Sequence, residues 1–346
     1  MRKRVNFWKK VYTEIDTNRG YIHDIDRPWI IYENISIKGL NRKKANKKIK
    51  HSIYKVRLAL NNLASKKKNK KSVKNMQYAS LIGKLSAKKI KKAGYNLRFQ
   101  RGMSDRFHKG HGRAHKYLDH MKKIFSSKSL PLELIYLPHV ESSFNIKAHS
   151  KSNAVGIWQV LGPIGKKLGL IINQDIDERL DPIKSSEAAA ILLKENYKIL
   201  GSWPLAVTGY NTGPAVLRRA VKKLKTHNLS QIINKFRARS WGFASKNFYA
   251  TFVAVTEVSI NFNKFAYLNN WKRSDPLLFE SIKTTERYSL PKLLKALGKY
   301  KNEFIELNPS IRKQAIKKKV LIPRNFTLHL PSELVSNRNQ ILKSLE

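Results

Sequence analysis

Glu141 stands at the head of the stretch ESSFNIKAHSKSNAVGIWQ, Glu141 to Gln159, and it is the one carboxylate there. It follows an apolar run, LPLELIYLPHV, whose Pro131 suits a helix start. A carboxyl at the end of that run, walled by Ile135, Tyr136, Leu137 and Phe144, is partly removed from water. Desolvation favours the neutral acid, and a protonated carboxyl near neutral pH can give its proton to a leaving oxygen. Ser150 is spaced to hydrogen-bond it. Gly156 allows close backbone approach, and Trp158 and Gln159 add a flat apolar face and an amide. Aromatic surface with amide and hydroxyl groups is what a sugar site needs. Tyr210 and Asn211 occur at another helix end beside a Gly-Pro turn, and Tyr249 lies on a later helix.

Other clusters read as structure. His108, His111 and His115 have metal-like spacings, but Lys, Arg and Gly crowd them and oppose a cation. Asp175, Asp177, Glu178 and Asp181 lack the Gly and closing Glu of a calcium loop. They are expected to cap the next helix and to pair Arg179. Trp203 and Trp241 are expected in the core. No metal and no cofactor is expected.

The elements that would hold these residues are mainly helical. The segment from Asp181 to Trp203 is a capped helix, with Ser185 or Ser186 as N-cap and Gly201 as its stop. WPLAVTGYNTGPAVLRRAVKKL is a helix, a tight turn at Asn211–Pro214, and a second helix. NFYATFVAVTEVSI is another. Three regions follow: residues 1–125, basic and mostly helical; 126–265, a compact helical domain; 266–346, a small α+β module. In the first region RPWIIYENISI is extended, and the basic runs NRKKANKKIK and SKKKNKKSVKN flank Ile53–Leu63, a pattern of helices joined by basic turns. In the last, YSLPKLLKALGKYKNEFIELNP gives two short helices and VLIPRNFTLHLP a strand pair or an extended end.

Bulk properties narrow the partners. The 346 residues carry 70 Lys and Arg against 23 Asp and Glu, a net charge of +47. Such a field attracts polyanions, although abundant Lys, Asn and Ile also fit a base-composition bias. Nucleic acid is disfavoured, because Tyr54, Tyr78 and Tyr95 are too few and scattered to interleave with the basic run. An anionic wall polymer or membrane surface remains. The absence of cysteine excludes disulfides and a Cys-based zinc site. MRKRVNFWKK has the basic start of an export signal without the apolar core. The sequence leaves the oligomeric state open.

ESSFNIKAHSKSNAVGIWQV resembles the signature of lytic transglycosylases with the soluble-lytic-transglycosylase, or goose-type lysozyme-like, domain. DERLDPIKSSEAAAILL, WPLAVTGYNTGP and WGFASKNFYATFVAV are similar to later blocks of that family, in family order. The resemblance is nearest the membrane-bound lytic transglycosylase D group. It implies a lysozyme-like helical catalytic domain acting on peptidoglycan glycan strands, in the periplasm or cell envelope. It implies cleavage of the β-1,4 bond between N-acetylmuramic acid and N-acetylglucosamine, with Glu141 as single acid and base, leaving 1,6-anhydro ends. Ser150 then orients Glu141, and Gln159, Tyr210, Asn211 and Tyr249 meet substrate. Ile146, Asn153 and Gly209 depart from the usual Pro, Gly and Ala. The C-terminal module resembles a degenerate LysM module without its Gly-Asp-Thr opening. A hydrolytic muramidase on the same fold, and a non-enzymatic wall or nucleic-acid binding protein, are the alternatives.

Overall fold

The structure is a computed structural model, and it describes residues 1–65, 73–83, 85–265, 273–318 and 320–334. It is mainly helical with small antiparallel sheets. The chain forms two compact units, Met1–Lys109 with Asn196–Trp271, and Gly110–Glu195 with Lys272–Glu346.

In the first unit the extended segment expected near Arg27 is the strand Ile31–Ser36. Its sheet has two further strands that show little alternation in sequence. Arg19–Asp24 is the central strand of a three-stranded sheet, paired antiparallel to Ile31–Ser36 and to Leu97–Arg101. Ile22 sits opposite Glu33 and Phe99 and is fully buried. Against it packs the helix Arg42–Ala64, with Val56, Leu60, Tyr78, Ile82 and Ala93 in the same core.

That helix corrects the reading of NRKKANKKIK as a basic turn, while most of SKKKNKKSVKN lies outside the described residues. Asn41 caps the helix by accepting from the Lys44 N–H at 2.9 Å. Ala45, Ile49, Ile53, Val56 and Leu60 then recur at helical spacing, and lysine is a good helix former. The periodic face overrides the charge.

The opening residues are also helical, Arg2–Thr13, and bury Val5, Phe7, Trp8 and Val11. They lie along the helix Phe243–Ile260. Asn247 Oδ1 accepts from Arg4 Nη1 at 2.9 Å and from Trp8 Nε1 at 3.3 Å, and Glu257 pairs with Arg2 and Lys9. The helices Trp203–Thr212 and Pro214–Leu224 meet at Gly213, whose φ of +83° makes the turn. They share a core of Leu205, Leu217, Ile232 and Trp241. Trp241 is buried in that core as expected, whereas Trp203 is only partly buried and stacks at 4.4 Å on the exposed Tyr197.

The second unit holds the helix Leu118–Ser127, a 3-10 turn Leu132–Tyr136, and the four-residue helix Pro138–Glu141. A hairpin follows, Ala154–Val155 against Val160–Leu161, and then the part of the long helix Pro182–Leu200 that runs to Glu195. Trp158 does not offer a face to a sugar. It is fully buried, stacked on Phe125 at 5.7 Å, and its Nε1 donates to Ser186 Oγ at 2.7 Å.

The cap of the long helix is Asp181, from the acidic cluster expected to cap it, and not Ser185 or Ser186. Asp181 Oδ1 accepts from the N–H groups of Ile183 at 2.7 Å and Lys184 at 3.1 Å. The two serines lie in the first turn and donate back to the carbonyls of Asp181 and Pro182, both at 2.6 Å. Asp181 Oδ2 also meets His329 Nε2 at 2.9 Å, with both side chains buried. Asp181→Ala is therefore expected to cost about 2–3 kcal/mol in urea denaturation, and Asp181→Asn, which keeps the cap acceptor, roughly half of that.

The C-terminal residues run strand, helix, helix, strand. Phe279–Lys283 pairs antiparallel with Thr327–Pro331, and the helices Leu290–Ala296 and Lys301–Leu307 lie between them in sequence. The two short helices and the final strand follow the expected order, and the first strand, Phe279–Lys283, was not read from sequence. Its core of Leu293, Phe304, Phe326 and Leu328 also takes in Ile176. Within this unit the module is stitched to the 171–181 segment: Ile176 bridges Ile311, the Asp177 N–H donates to Ser310 O at 2.8 Å, and the Arg312 N–H donates to Asp175 O at 2.9 Å.

Candidate active site

Glu141 is the last residue of its short helix. Two residues later the backbone turns left-handed twice in succession, Ser143 at φ +52° and Phe144 at φ +56°. Non-glycine residues there are strained and need neighbours to hold them. Those neighbours are present. Ser142 Oγ donates to Ile157 O at 2.8 Å, and Arg113 Nη2 donates to Ser143 O at 2.6 Å. Phe144 is fully buried and meets His139 edge-on at 4.7 Å. Gly110 lies so close that a Cβ would come within 2.8 Å of Ser143 O.

Gly110 and Arg113 thus hold the segment after Glu141, and the sequence reading passed over both. The one available signal was a glycine inside a helix, with an arginine one turn on. His111 and His115 stood out for metal spacing. Instead His111 stacks on His139 at 6.0 Å and meets His115 edge-on at 5.0 Å. Burial, with His111, Arg113 and His115 nearby, holds the His139 imidazole well below its ordinary pKa. His108 belongs to the other unit and meets Phe262 at 5.6 Å. Among the described residues no group of three His, Cys, Asp or Glu could hold a metal ion.

Glu141 keeps partial solvent exposure as a residue, yet its carboxyl is packed deeply enough that desolvation pushes its pKa to about 8. Among the described residues no side-chain hydrogen bond or ion pair to it is seen. The group is a neutral acid at pH 7.

Ser150 and Gln159 share its unit. Ser150 Oγ accepts from the N–H groups of Ser152 at 3.2 Å and Ala154 at 2.9 Å, which leaves its hydroxyl proton to donate. Gln159, at φ +50°, spends both amide hydrogens on the carbonyls of Ala148 at 3.1 Å and Gly156 at 2.9 Å. Its carbonyl oxygen is then the end left to accept.

The loop bearing Gln159 is gripped by Arg179. Its Nε and Nη2 form a two-point pair with Asp177, each at 2.9 Å, which is the pairing expected from sequence. Its Nη1 donates to Asn153 O at 2.8 Å and to Val160 O at 3.3 Å. Gly156, at φ +82°, packs on the Arg179 backbone, where a Cβ would stand 2.0 Å from the carbonyl oxygen. Asn153 sits at φ +60°, a conformation asparagine tolerates, so its replacement of the family's Gly keeps the turn.

Tyr210, Asn211 and Tyr249 belong to the first unit. Tyr210 is partly buried and Asn211 exposed at the end of the helix Trp203–Thr212. Gly209 faces Leu200, and an added Cβ would lie 3.1 Å from Leu200 Cδ1. Here Gly allows a tighter helix approach than Ala. Tyr249 packs against the Leu205–Trp241 core, and burial raises its phenol pKa.

Residues 120–233 match the Transglycosylase SLT domain family. The membrane-bound lytic murein transglycosylase D of Escherichia coli (strain K12) is 34% identical over 119 residues, covering 34% of this chain and 26% of that protein. A putative tributyltin chloride resistance protein of Alteromonas sp. (strain M-1) is 33% identical over 114 residues, 33% of this chain and 55% of that one. The chain therefore spans about a quarter of the first relative and about half of the second. Among solved structures, the 70 kDa soluble lytic transglycosylase SLT70 from Escherichia coli aligns with 68% of this chain and 34% of its own. The identity is 14% and the TM-score 0.37, too loose a likeness to bear on the fold.

Proposed function

We propose that this chain, whose residues 120–233 form a transglycosylase SLT domain, is a peptidoglycan lytic transglycosylase of the cell envelope. The observation that carries the reading is Glu141, a desolvated carboxyl with a pKa of about 8 inside the matched segment. In its neutral form it donates a proton to the glycosidic oxygen between N-acetylmuramic acid and N-acetylglucosamine. The C1–O bond breaks, and an oxocarbenium-like C1 and a carboxylate remain. The carboxylate then takes the proton of the muramic C6 hydroxyl as that oxygen bonds to C1. The product is a 1,6-anhydro end, and Glu141 is again protonated.

One residue suffices because the nucleophile is part of the substrate, already close to C1. The usual pair of carboxylates in glycoside hydrolysis has no second member between Leu137 and Val160. In this reading Ser150 donates to the Glu141 carboxylate once it forms, and Gln159 accepts from a sugar N–H or O–H. Tyr210, Asn211 and Tyr249 contact the glycan. No metal or cofactor enters the scheme. The Lys-rich face of the helix Arg42–Ala64 would hold the enzyme near anionic wall polymer or membrane surface.

Digestion of purified peptidoglycan, followed by mass analysis of the fragments, tests this. Anhydro-muropeptides support transglycosylation, reducing ends indicate a muramidase, and no products indicate a binding protein. The pH profile is a second expectation. The general acid must be protonated, so activity falls as pH rises through about 8, tenfold per pH unit beyond it. A midpoint near the ordinary carboxylate range would show that the Glu141 carboxyl is not held desolvated as an acid near neutral pH.

A further inference from the structure

We propose that the C-terminal module is a brace for the active-site loop, and that Arg312 is its positioning residue. The inference rests on the proposed function and concerns how that site is held. Asp177 is wholly buried and is the junction of two arginines. Arg179 takes it from one side at two points, each 2.9 Å. Arg312, from the module, donates through Nη2 to Asp177 Oδ2 at 2.8 Å. Arg179 then reaches on to Asn153 O and Val160 O, the two ends of the loop that carries Gly156 and Gln159.

The chain of contacts is therefore Arg312, Asp177, Arg179, loop. Each link is charged or hydrogen-bonded, and all lie in one compact unit. The backbone contacts of Ser310, Ile311 and Arg312 with residues 175–177 align the same junction. A buried carboxylate with two cationic partners keeps one geometry. With one partner removed, its second oxygen shares Arg179 alone, and Arg179 loses its fixed anchor. Arg312 is partly exposed, with 38% of its side-chain surface open, so its truncation admits water instead of creating a sealed cavity.

The positioned group is Gln159, whose two donor bonds end on Ala148 and Gly156 and whose acceptor is left for substrate. A looser loop misplaces that acceptor and leaves the Glu141 carboxyl untouched. Arg312→Ala should therefore raise KM for soluble glycan oligomers about three- to tenfold, with kcat within about twofold. Arg312→Lys should recover most of the loss. In a Gln159→Ala background, Arg312→Ala should add less than about twofold, because the group it positions is gone.

Amide hydrogen exchange of the wild-type and Arg312→Ala full chains gives a readout independent of turnover. Exchange at 153–160 should quicken by about tenfold or more, with global unfolding unchanged within error. Faster exchange confined to 310–316, or an equal KM penalty with and without Gln159, would overturn the brace. If the wild-type chain releases no anhydro-muropeptides, the proposed function fails, while the exchange result still decides the brace.

Discussion

In Glu141→Gln, release of anhydro-muropeptides from purified peptidoglycan falls by about three orders of magnitude. The substitution keeps the size and the polarity of the side chain and loses only the exchangeable acid. The loss is in kcat, because the proton transfer is made in the transition state and not in ground-state binding. The same variant has a stability signature. The folded-state pKa of Glu141 is about 8 against an ordinary 4.5. Between those values the folded protein holds a proton that the unfolded chain releases. Stability then declines as pH rises from about 4.5 to 8, by the linkage between bound protons and folding. The amide introduced by the substitution does not titrate. Glu141→Gln should thus melt progressively higher than wild type as pH goes from 5 to 9, read by thermal unfolding in matched buffers. A gap that stays constant over that range would place the carboxyl in ordinary solvent.

Gly156→Ala should be the most damaging of the small substitutions. The residue sits at φ +82°, and its new Cβ would lie 2.0 Å from the Arg179 carbonyl oxygen. That carbonyl cannot retreat, because the Arg179 side chain is tied to Asp177 and to Asn153. The expected cost is about 3 kcal/mol or more in urea denaturation, with loss of activity through the displaced Gln159. Gly169 gives the control. It has φ +85° but open space around its Cα, so Gly169→Ala pays only the left-handed strain of about 1–2 kcal/mol. Equal costs for the two variants would show that crowding at Arg179 contributes nothing.

The legible parts of the site were those written within one short stretch of chain. Glu141 could be read because an isolated acid closes an apolar run, and the helix Pro138–Glu141 does end there. Gly156 was marked for close backbone approach and Gly213 for a turn, and both take positive φ. Other residues depend on distant partners. Trp158 looked like a sugar face because its neighbours are polar, but the groups that bury it, Phe125 and Ser186, lie 33 positions before and 28 after. Asp181 was legible as a member of an acidic cluster expected to cap the next helix, whereas Ser185 and Ser186 competed for the same role because Pro182 can occupy a first helical turn. Arg312 and His329 meet their aspartates across 135 and 148 residues. Charge pairing at that range leaves no periodicity to read. The strands Arg19–Asp24 and Leu97–Arg101 were hidden for the same reason, since their pairing joins segments over 70 residues apart.

The second unit is discontinuous, and this has a consequence in time. Lys272 follows Glu195 by 77 positions. At roughly 5–20 residues per second that is a wait of about 4–15 s during synthesis, and Arg312, 117 positions after Glu195, takes about 6–23 s. For that interval the segment with Glu141 and Gln159 exists without Ile311, Arg312 or His329, and Asp177 has only one of its two arginines. A chain drawn through a pore from its N-terminus meets the same order. The Glu141 carboxyl arrives early and its loop is secured later, so a chain still in synthesis holds the segment around Gln159 without the brace that Arg312 supplies.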